Sequence, residues 1–282
     1  MKILIIIIAS NDPEHEADFE IQNKTWVSKC HKDVSVMYLR GWDQAYFYFE
    51  KEKNVLFVPI REAYSNILRK TILGIKYSLD NCEFDILVRS NVSTYFETHR
   101  LVRELNHPIY CGSFFGGYFD KSKNSNFNNG NSFEYISGTG LYFSKDIATI
   151  LSELDPEFYN DVFDDLAIFD FLKNKDLKLI RMARNNLFST HLFIPTFNIR
   201  LKNSFDSKSA SRRMQLVHNF FYNEDILSKF LAYFKIQLNE HFEFLRHPEP
   251  PYMYLIKNRV VLISYLKMKF NRLKNKLKVI LT

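Results

Sequence analysis

The chain has 282 residues, 46% hydrophobic and 25% charged, which fits one large globular domain or one domain with an appendage. Its net charge of +6 is unevenly placed: Met253 to Thr282 hold eight Lys/Arg and no Asp or Glu, so the rest carries 30 basic against 32 acidic residues, or −2. A basic block confined to the tail, with no nucleic-acid motif in the body, argues against nucleic acid as a partner, and the three dispersed cysteines (Cys30, Cys82, Cys111) argue against zinc and for a reducing compartment.

Lys2 to Ala9 is a short apolar run that lacks a small-x-small cleavage site and meets Ser10-Asn11-Asp12-Pro13. It reads as a buried first strand rather than a signal peptide, with its end at Ala9-Ser10 opening onto a ligand. No apolar run approaches the ~20 residues of a membrane span. A helix is expected over Glu14 to Lys29, and strands over Val34 to Leu39 and Asn54 to Val58. From Glu62 to Leu79 the apolar stripe Tyr64, Leu68, Ile72, Ile75, Leu79 predicts a helix, with Asn66 and Lys70 four apart on another face.

Phe84 to Phe96 is the pivot. Its aliphatic start stops abruptly at Arg89-Ser90-Asn91, the pattern of a central strand with a polar tip. Ligands bind at such tips in open α/β sheets. A helix at about Glu97 to Asn106 and a short strand at Ile109 to Gly112 follow, so the first half alternates strand and helix, as in a parallel sheet covered on both faces.

Gly116 to Ser132, rich in Gly, Asn, Ser and Lys, reads as a loop. Glu134 to Phe143 reads as a strand interrupted by Gly138-Thr139-Gly140, where glycine marks either a bulge or a close approach. Helices over Lys145 to Leu154 and Asp161 to Asn174 and a strand over Leu177 to Met182 complete the series. Asp164 and Asp165 open the second of these helices, where a carboxylate is also favourable simply as a cap.

Three stretches, in order, resemble the β-1,3-galactosyltransferase/Fringe-like glycosyltransferases, in a form similar to bacterial surface-polysaccharide relatives. Glu62-Ala63-Tyr64-Ser65-Asn66, followed by Lys70-Thr71 and Tyr77, is similar to an acidic-x-Tyr-x-Asn…Lys-Thr helix. The pivot strand carries the Thr94-Tyr95 pair that follows the family's Asp-x-Asp. Tyr135 to Asp146 looks like a Gly-Gly-x-x-x-Ser-x-Asp segment, with Asp164-Asp165-Leu166 in the place of an acidic-Asp-Val motif.

The resemblance implies an α/β GT-A fold: a Rossmann-like mixed sheet flanked by helices, with a C-terminal helical extension. It implies a GT-A domain over residues 1–200 (donor half about 1–112, acceptor half about 113–200), an extension over 201–252 and a basic amphipathic tail over 253–282. It implies an inverting transfer of a hexose, galactose-type or N-acetylhexosamine, from a nucleotide sugar, UDP-sugar first, to a glycan or lipid-linked acceptor. One carboxylate deprotonates the acceptor hydroxyl and no covalent intermediate forms; Asp165 is the candidate base, with Asp164 second. The donor contacts implied are Ala9, Ser10, Arg61, Asn66, Lys70, Arg89, Ser90, Asn91, Arg200 and Lys202, and Gly138, Thr139 and Gly140 would face the sugar or acceptor.

The sequence departs from the family at the pivot, where Asn91, Val92 and Ser93 replace the aspartates and Asn198 stands at a late histidine's place. Divalent Mg²⁺ or Mn²⁺ prefers anionic oxygens, so no metal ligand is assigned, and Arg89, Arg200 and Lys202 are expected to stabilise the leaving diphosphate. The expected location is cytoplasmic, with the tail lying on an anionic membrane face. The alternative is a non-catalytic or differently reacting nucleotide-sugar-binding protein of the same fold.

Overall fold

The computed structural model describes residues 1–122, 133–159, 162–186, 196–201, 210–222 and 224–246. Lys202 and the tail over 253–282 lie outside them.

Strand β1 (Ile3–Ile8) is buried on both faces, which is what its unbroken aliphatic run requires. It lies between parallel strands β2 (Val34–Gly41) and β5 (Ile86–Asn91), with Ile8 opposite both Leu39 and Asn91. Beyond β2 come parallel β4 (Val55–Val58) and, antiparallel at the edge, β3 (Tyr48–Glu50). On the other side β5 pairs antiparallel with β8 (Phe133–Ser144), β8 with antiparallel β7 (Phe114–Ser122), and β7 with parallel β9 (Lys178–Arg181). The eight-stranded sheet thus runs β3-β4-β2-β1-β5-β8-β7-β9. Strands β1, β2, β4 and β5 are parallel as expected, β3 adds an antiparallel edge outside the expected strands, and the whole is mixed.

Alternate residues of β1 feed two cores. Ile3, Ile5 and Ile7 pack beneath helices α1 (Pro13–Lys24), α3 (Thr98–Leu105) and α6 (Ala210–Tyr222). Leu4, Ile6 and Ile8 pack beneath α2 (Ile67–Asn81), α4 (Lys145–Ser152) and α5 (Asp164–Leu172). Helix α7 (Ile226–Arg246) lies against α6. A second, small sheet joins β6 (Thr94–Phe96), β11 (Asn198–Arg200) and β10 (Asn185–Asn186), and so seats Arg200 opposite Thr94, just past the β5 tip.

Several expected elements differ. Tyr64 to Asn66 form a 3₁₀ turn and α2 starts only at Ile67, because the Asn66 amide is drawn back to the Arg61 carbonyl, 2.9 Å away. Asn66 and Lys70 therefore do not share a helix face. Helix α1 ends at Lys24, where the Thr25 hydroxyl bonds back to the Ile21 carbonyl. The expected strand at Ile109 to Gly112 is a 3₁₀ turn at Pro108–Tyr110; Pro108 has no N–H to give a ladder. The front of the expected glycine-rich loop is strand β7, with 123–132 outside the described residues. Its glycines mark a bulge between Gly117 and Phe119. A Cβ on Gly117 would lie 2.4 Å from Ile136 Cγ2 and 2.6 Å from the Gly140 carbonyl oxygen.

Candidate active site

The carboxyl ends of β1, β2 and β5 meet on one edge of the sheet, at the switch between strands running outward in opposite directions from β1. This is the crevice where open α/β sheets bind ligands. Ala9 and Ser10 extend β1 beside Asn91, and the β6–β11 pair brings Arg200 to the same edge.

The β5 tip is held by its own neighbours. The Asn91 side-chain oxygen accepts from Ser93 Oγ (3.0 Å) and Thr94 Oγ1 (2.9 Å), and Val92 is buried in the core. Ser90 is buried with its hydroxyl on the Thr139 carbonyl at 2.8 Å. From α1, Gln22 Nε2 donates to the Thr94 carbonyl at 2.9 Å. The tip is therefore rigid and neutral.

Beyond the tip, β8 passes across the cleft with its two faces in different surroundings. On one face a Cβ at Gly138 would lie 2.7 Å from Arg89 Nη1 and 3.3 Å from Asp165 Oδ2. Glycine is required here for a close approach of the protein's own side chains, which is neither the bulge nor the approach of a ligand or backbone expected from the sequence. Arg89 donates to the Gly138 carbonyl (2.6 Å) and pairs with Asp164. The Gly138 N–H donates to Asp165 Oδ2 at 2.9 Å. Asp165 Oδ1 also accepts from the Leu166 N–H at 3.0 Å, so Asp165, in the first turn of α5, satisfies one of its free N–H groups while facing the strand. Burial, and then the neighbouring Asp164 charge, push the Asp165 carboxyl up to about 6.

On the other face Arg184, its side chain 1% exposed, donates to Ser137 Oγ (2.8 Å) and Thr139 Oγ1 (2.9 Å) and stacks on the Tyr118 ring at 3.8 Å. Its second nitrogen lies 3.5 Å from Asp120. Arg184 ties β7 to β8. Gly140 packs against β11, where a Cβ would fall 2.3 Å from Asn198 Nδ2, itself donating to the Tyr142 hydroxyl at 3.0 Å.

The expected contacts thus separate. Ala9, Ser10, Asn91 and Arg200 lie at the strand-tip edge, and Asp164 and Asp165 meet β8 at Gly138, whereas Thr139 is buried with its carbonyl on Ser90 and its hydroxyl on Arg184. Lys70, Ser90 and Arg89 lie beneath that edge: Lys70 Nζ donates to the Ala9 carbonyl (2.7 Å) and Glu62 Oε1 (2.6 Å), Ser90 to the Thr139 carbonyl, and Arg89 through both Nη atoms, with its Nε buried and unpartnered among the described residues. Gly140 is spent on packing. Arg61 and Asn66 stand on the turn before α2. Beside that turn a cleft of about 190 Å³ opens between Tyr64 and Phe163, with Asp164 in its wall. The sequence pointed to neither Arg184 nor Asp120. They are isolated in sequence, and only the β7–β8–β9 pairing unites them. Glu62 stood within a quoted motif without a role.

No family model matches the chain, and no curated protein does. Among solved structures, it is similar to a glycosyltransferase involved in the glycosylation of the major capsid of PBCV-1, with TM-score 0.52 and 7% identity over 77% of this chain and 100% of that one. It is also similar to the galactosyltransferase LgtC in complex with donor and acceptor sugar analogs, with TM-score 0.48 and 12% identity over 79% of this chain and 98% of that one. At these identities the first likeness establishes the fold: α/β, of the GT-A type.

Proposed function

We propose that the chain is an inverting glycosyltransferase that moves a hexose from a nucleotide diphosphate sugar, a UDP-sugar first, to a glycan acceptor, with Asp165 as the general base. The observation that carries this is the Asp165 carboxylate: it faces β8 at Gly138, next to the cleft wall formed by Asp164, fixed by the Gly138 and Leu166 N–H groups, with its proton affinity raised to near neutrality. A base works best when its pKa lies close to the working pH. The acceptor oxygen bonds to the anomeric carbon as the diphosphate departs, and the acceptor proton passes to Asp165. The fold shared with the PBCV-1 glycosyltransferase is consistent with glycosyl transfer. The test is a screen of UDP-sugars against glycan acceptors with the purified chain, scoring released UDP and the anomeric configuration of the product by NMR. No transfer from any donor, or retention of configuration, overturns the reading.

Ionisation of Asp165 also sets the pH response. A base must be unprotonated, so kcat/KM should fall about tenfold per pH unit below about pH 6 and level off above it. A flat profile between pH 5 and 7 would detach the rate from this carboxylate.

The donor set at the β5 tip does not fit a divalent metal. It offers Asn91, Val92 and Ser93, with the Asn91 oxygen already accepting two hydroxyls, and Mg²⁺ and Mn²⁺ take carboxylates and free carbonyls. Arg200, with no hydrogen-bond or ion-pair partner among the described residues, is the cation offered to the leaving diphosphate, and Lys202 is proposed beside it from its place in the sequence. Transfer is expected to persist in EDTA. Complete loss in EDTA, restored by Mn²⁺, would refute this.

No helix among the described residues is long and apolar enough to cross a membrane. A lipid-linked acceptor on an anionic cytoplasmic membrane face, in surface-polysaccharide synthesis, is proposed from the basic block over 253–282. The full-length protein should sediment with anionic liposomes at low salt and not at high salt, and a chain ending at Pro251 should stay in solution. Equal sedimentation of the two would show that the tail is not the anchor.

A further inference from the structure

Arg89 lies inside the protein at the end of β5, 4% exposed, with its guanidinium turned toward β8 and α5. One nitrogen holds the Gly138 carbonyl at 2.6 Å and another pairs with Asp164. The Gly138 peptide is thus gripped from both sides, because its neighbouring N–H donates to Asp165 at 2.9 Å. Planar guanidinium forks of this kind fix geometry as well as charge, and a lysine cannot reproduce the two-point hold. The absence of a side chain at position 138 lets the three groups meet, since a Cβ there would lie 2.7 Å from Arg89 Nη1.

We propose that Arg89 is a positioning residue for Asp165: by clamping the Gly138 carbonyl and the Asp164 carboxylate together, it aims the Gly138 N–H at the Asp165 carboxylate and keeps the second carboxylate turned away from it. Arg89 touches neither donor nor acceptor in this role, which replaces the donor contact expected from the sequence. The role bears on catalysis only if Asp165 is the base, but the clamp itself can be tested without substrate.

The groups around Asp165 set the direction of the test. Asp164 on the same helix raises its proton affinity, and Arg89 on β5 and the Gly138 and Leu166 N–H groups lower it. Tyr64, before α2, and Tyr135, on β8, lie within its field, and Lys70 on α2 lies within that of Asp164 and Arg89. Removing Arg89 leaves two adjacent carboxylates uncompensated, so the Asp165 midpoint must rise; removing the Asp164 charge as well must bring it back.

The experiment is a ¹³C NMR titration of the Asp165 carboxyl carbon in the full chain with labelled aspartate. It compares wild type, Arg89→Met, Arg89→Lys and the double variant Arg89→Met/Asp164→Asn. The midpoint is expected near 6 in the wild type, higher by about one pH unit or more in Arg89→Met, and back toward the wild-type value in the double variant. A folded Arg89→Met whose midpoint equals that of the wild type overturns the proposal, as does a double variant that stays as high as the single one. If Arg89→Met does not fold, Arg89→Lys decides: amide exchange at Gly138 should quicken about tenfold or more as the second arm of the fork is lost, and unchanged exchange overturns the clamp. A raised midpoint together with an active Asp165→Asn enzyme would keep the clamp and refute the base. An unmoved midpoint together with an inactive Asp165→Asn enzyme would do the reverse.

Discussion

Asp165→Asn should lower kcat by about 10²–10⁴ while leaving UDP binding nearly intact. The amide oxygen can still accept from one of the two N–H groups that the carboxylate holds on separate oxygens, Gly138 on Oδ2 or Leu166 on Oδ1, and the other N–H is left facing the amide nitrogen. What is lost is the lone pair that takes the acceptor proton. Stability should respond through pH. The folded protein holds Asp165 at about 6 against an ordinary value of 3.8, so the ionised carboxylate is disfavoured by folding. The stability this group contributes is full below about pH 4 and is lost as the pH rises through about 6. Asparagine is neutral throughout, so the variant should melt below the wild type at about pH 4, where it lacks one acceptor, and close or reverse that gap by about pH 8. Turnover within tenfold of wild type would remove Asp165 from the chemistry, and a Tm difference that stays the same from about pH 4 to about pH 8 would show that folding does not disfavour the ionised carboxylate.

Much of this site could be read from the sequence because its elements are local. The β1 run, the abrupt end of β5 and the acidic start of α5 each follow from a few adjacent residues. Their meeting at one sheet edge follows from the strand–helix alternation. The hidden part depends on pairing between distant segments. Nothing near Arg89 in sequence says that its guanidinium turns inward to Gly138, 49 residues away, rather than outward to a phosphate. Glycines misled in the same manner: Gly116-Gly117 suggests a loop, yet β7 carries them into the sheet because the bulge against β8 leaves no room for a Cβ on Gly117. The small β6–β11–β10 sheet is made of strands of two or three residues. Segments that short have no periodicity to detect, and what forms them is the edge of the larger core.

Lys70→Met should cost about 3 kcal/mol of folding stability, or on the order of 5–10 °C in Tm. Lys70 is 2% exposed, and its ammonium joins three segments: the Ala9 carbonyl past β1, Glu62 ahead of α2, and through Glu62 Oε2 the Gly41 N–H at the end of β2, 2.7 Å away. Burial lowers the Lys70 pKa while the Glu62 charge opposes that shift, so the pair is costly to desolvate and holds only as a pair. Methionine fills most of the space but leaves the Glu62 charge and the Ala9 carbonyl without their partner. Glu62 is 24% exposed, and water can reach it in part, which sets the expectation at the low end of the range for broken buried pairs. Because Ala9 stands at the strand tip proposed to hold the nucleotide, KM for the donor should rise more than kcat falls. The double variant Lys70→Met/Glu62→Gln removes the stranded charge and should recover a good part of the lost Tm, a coupling that two independent sites would not show. If Lys70→Met melts with the wild type, or if the double variant loses the sum of the two single losses, the three-way link does not brace the strand tips.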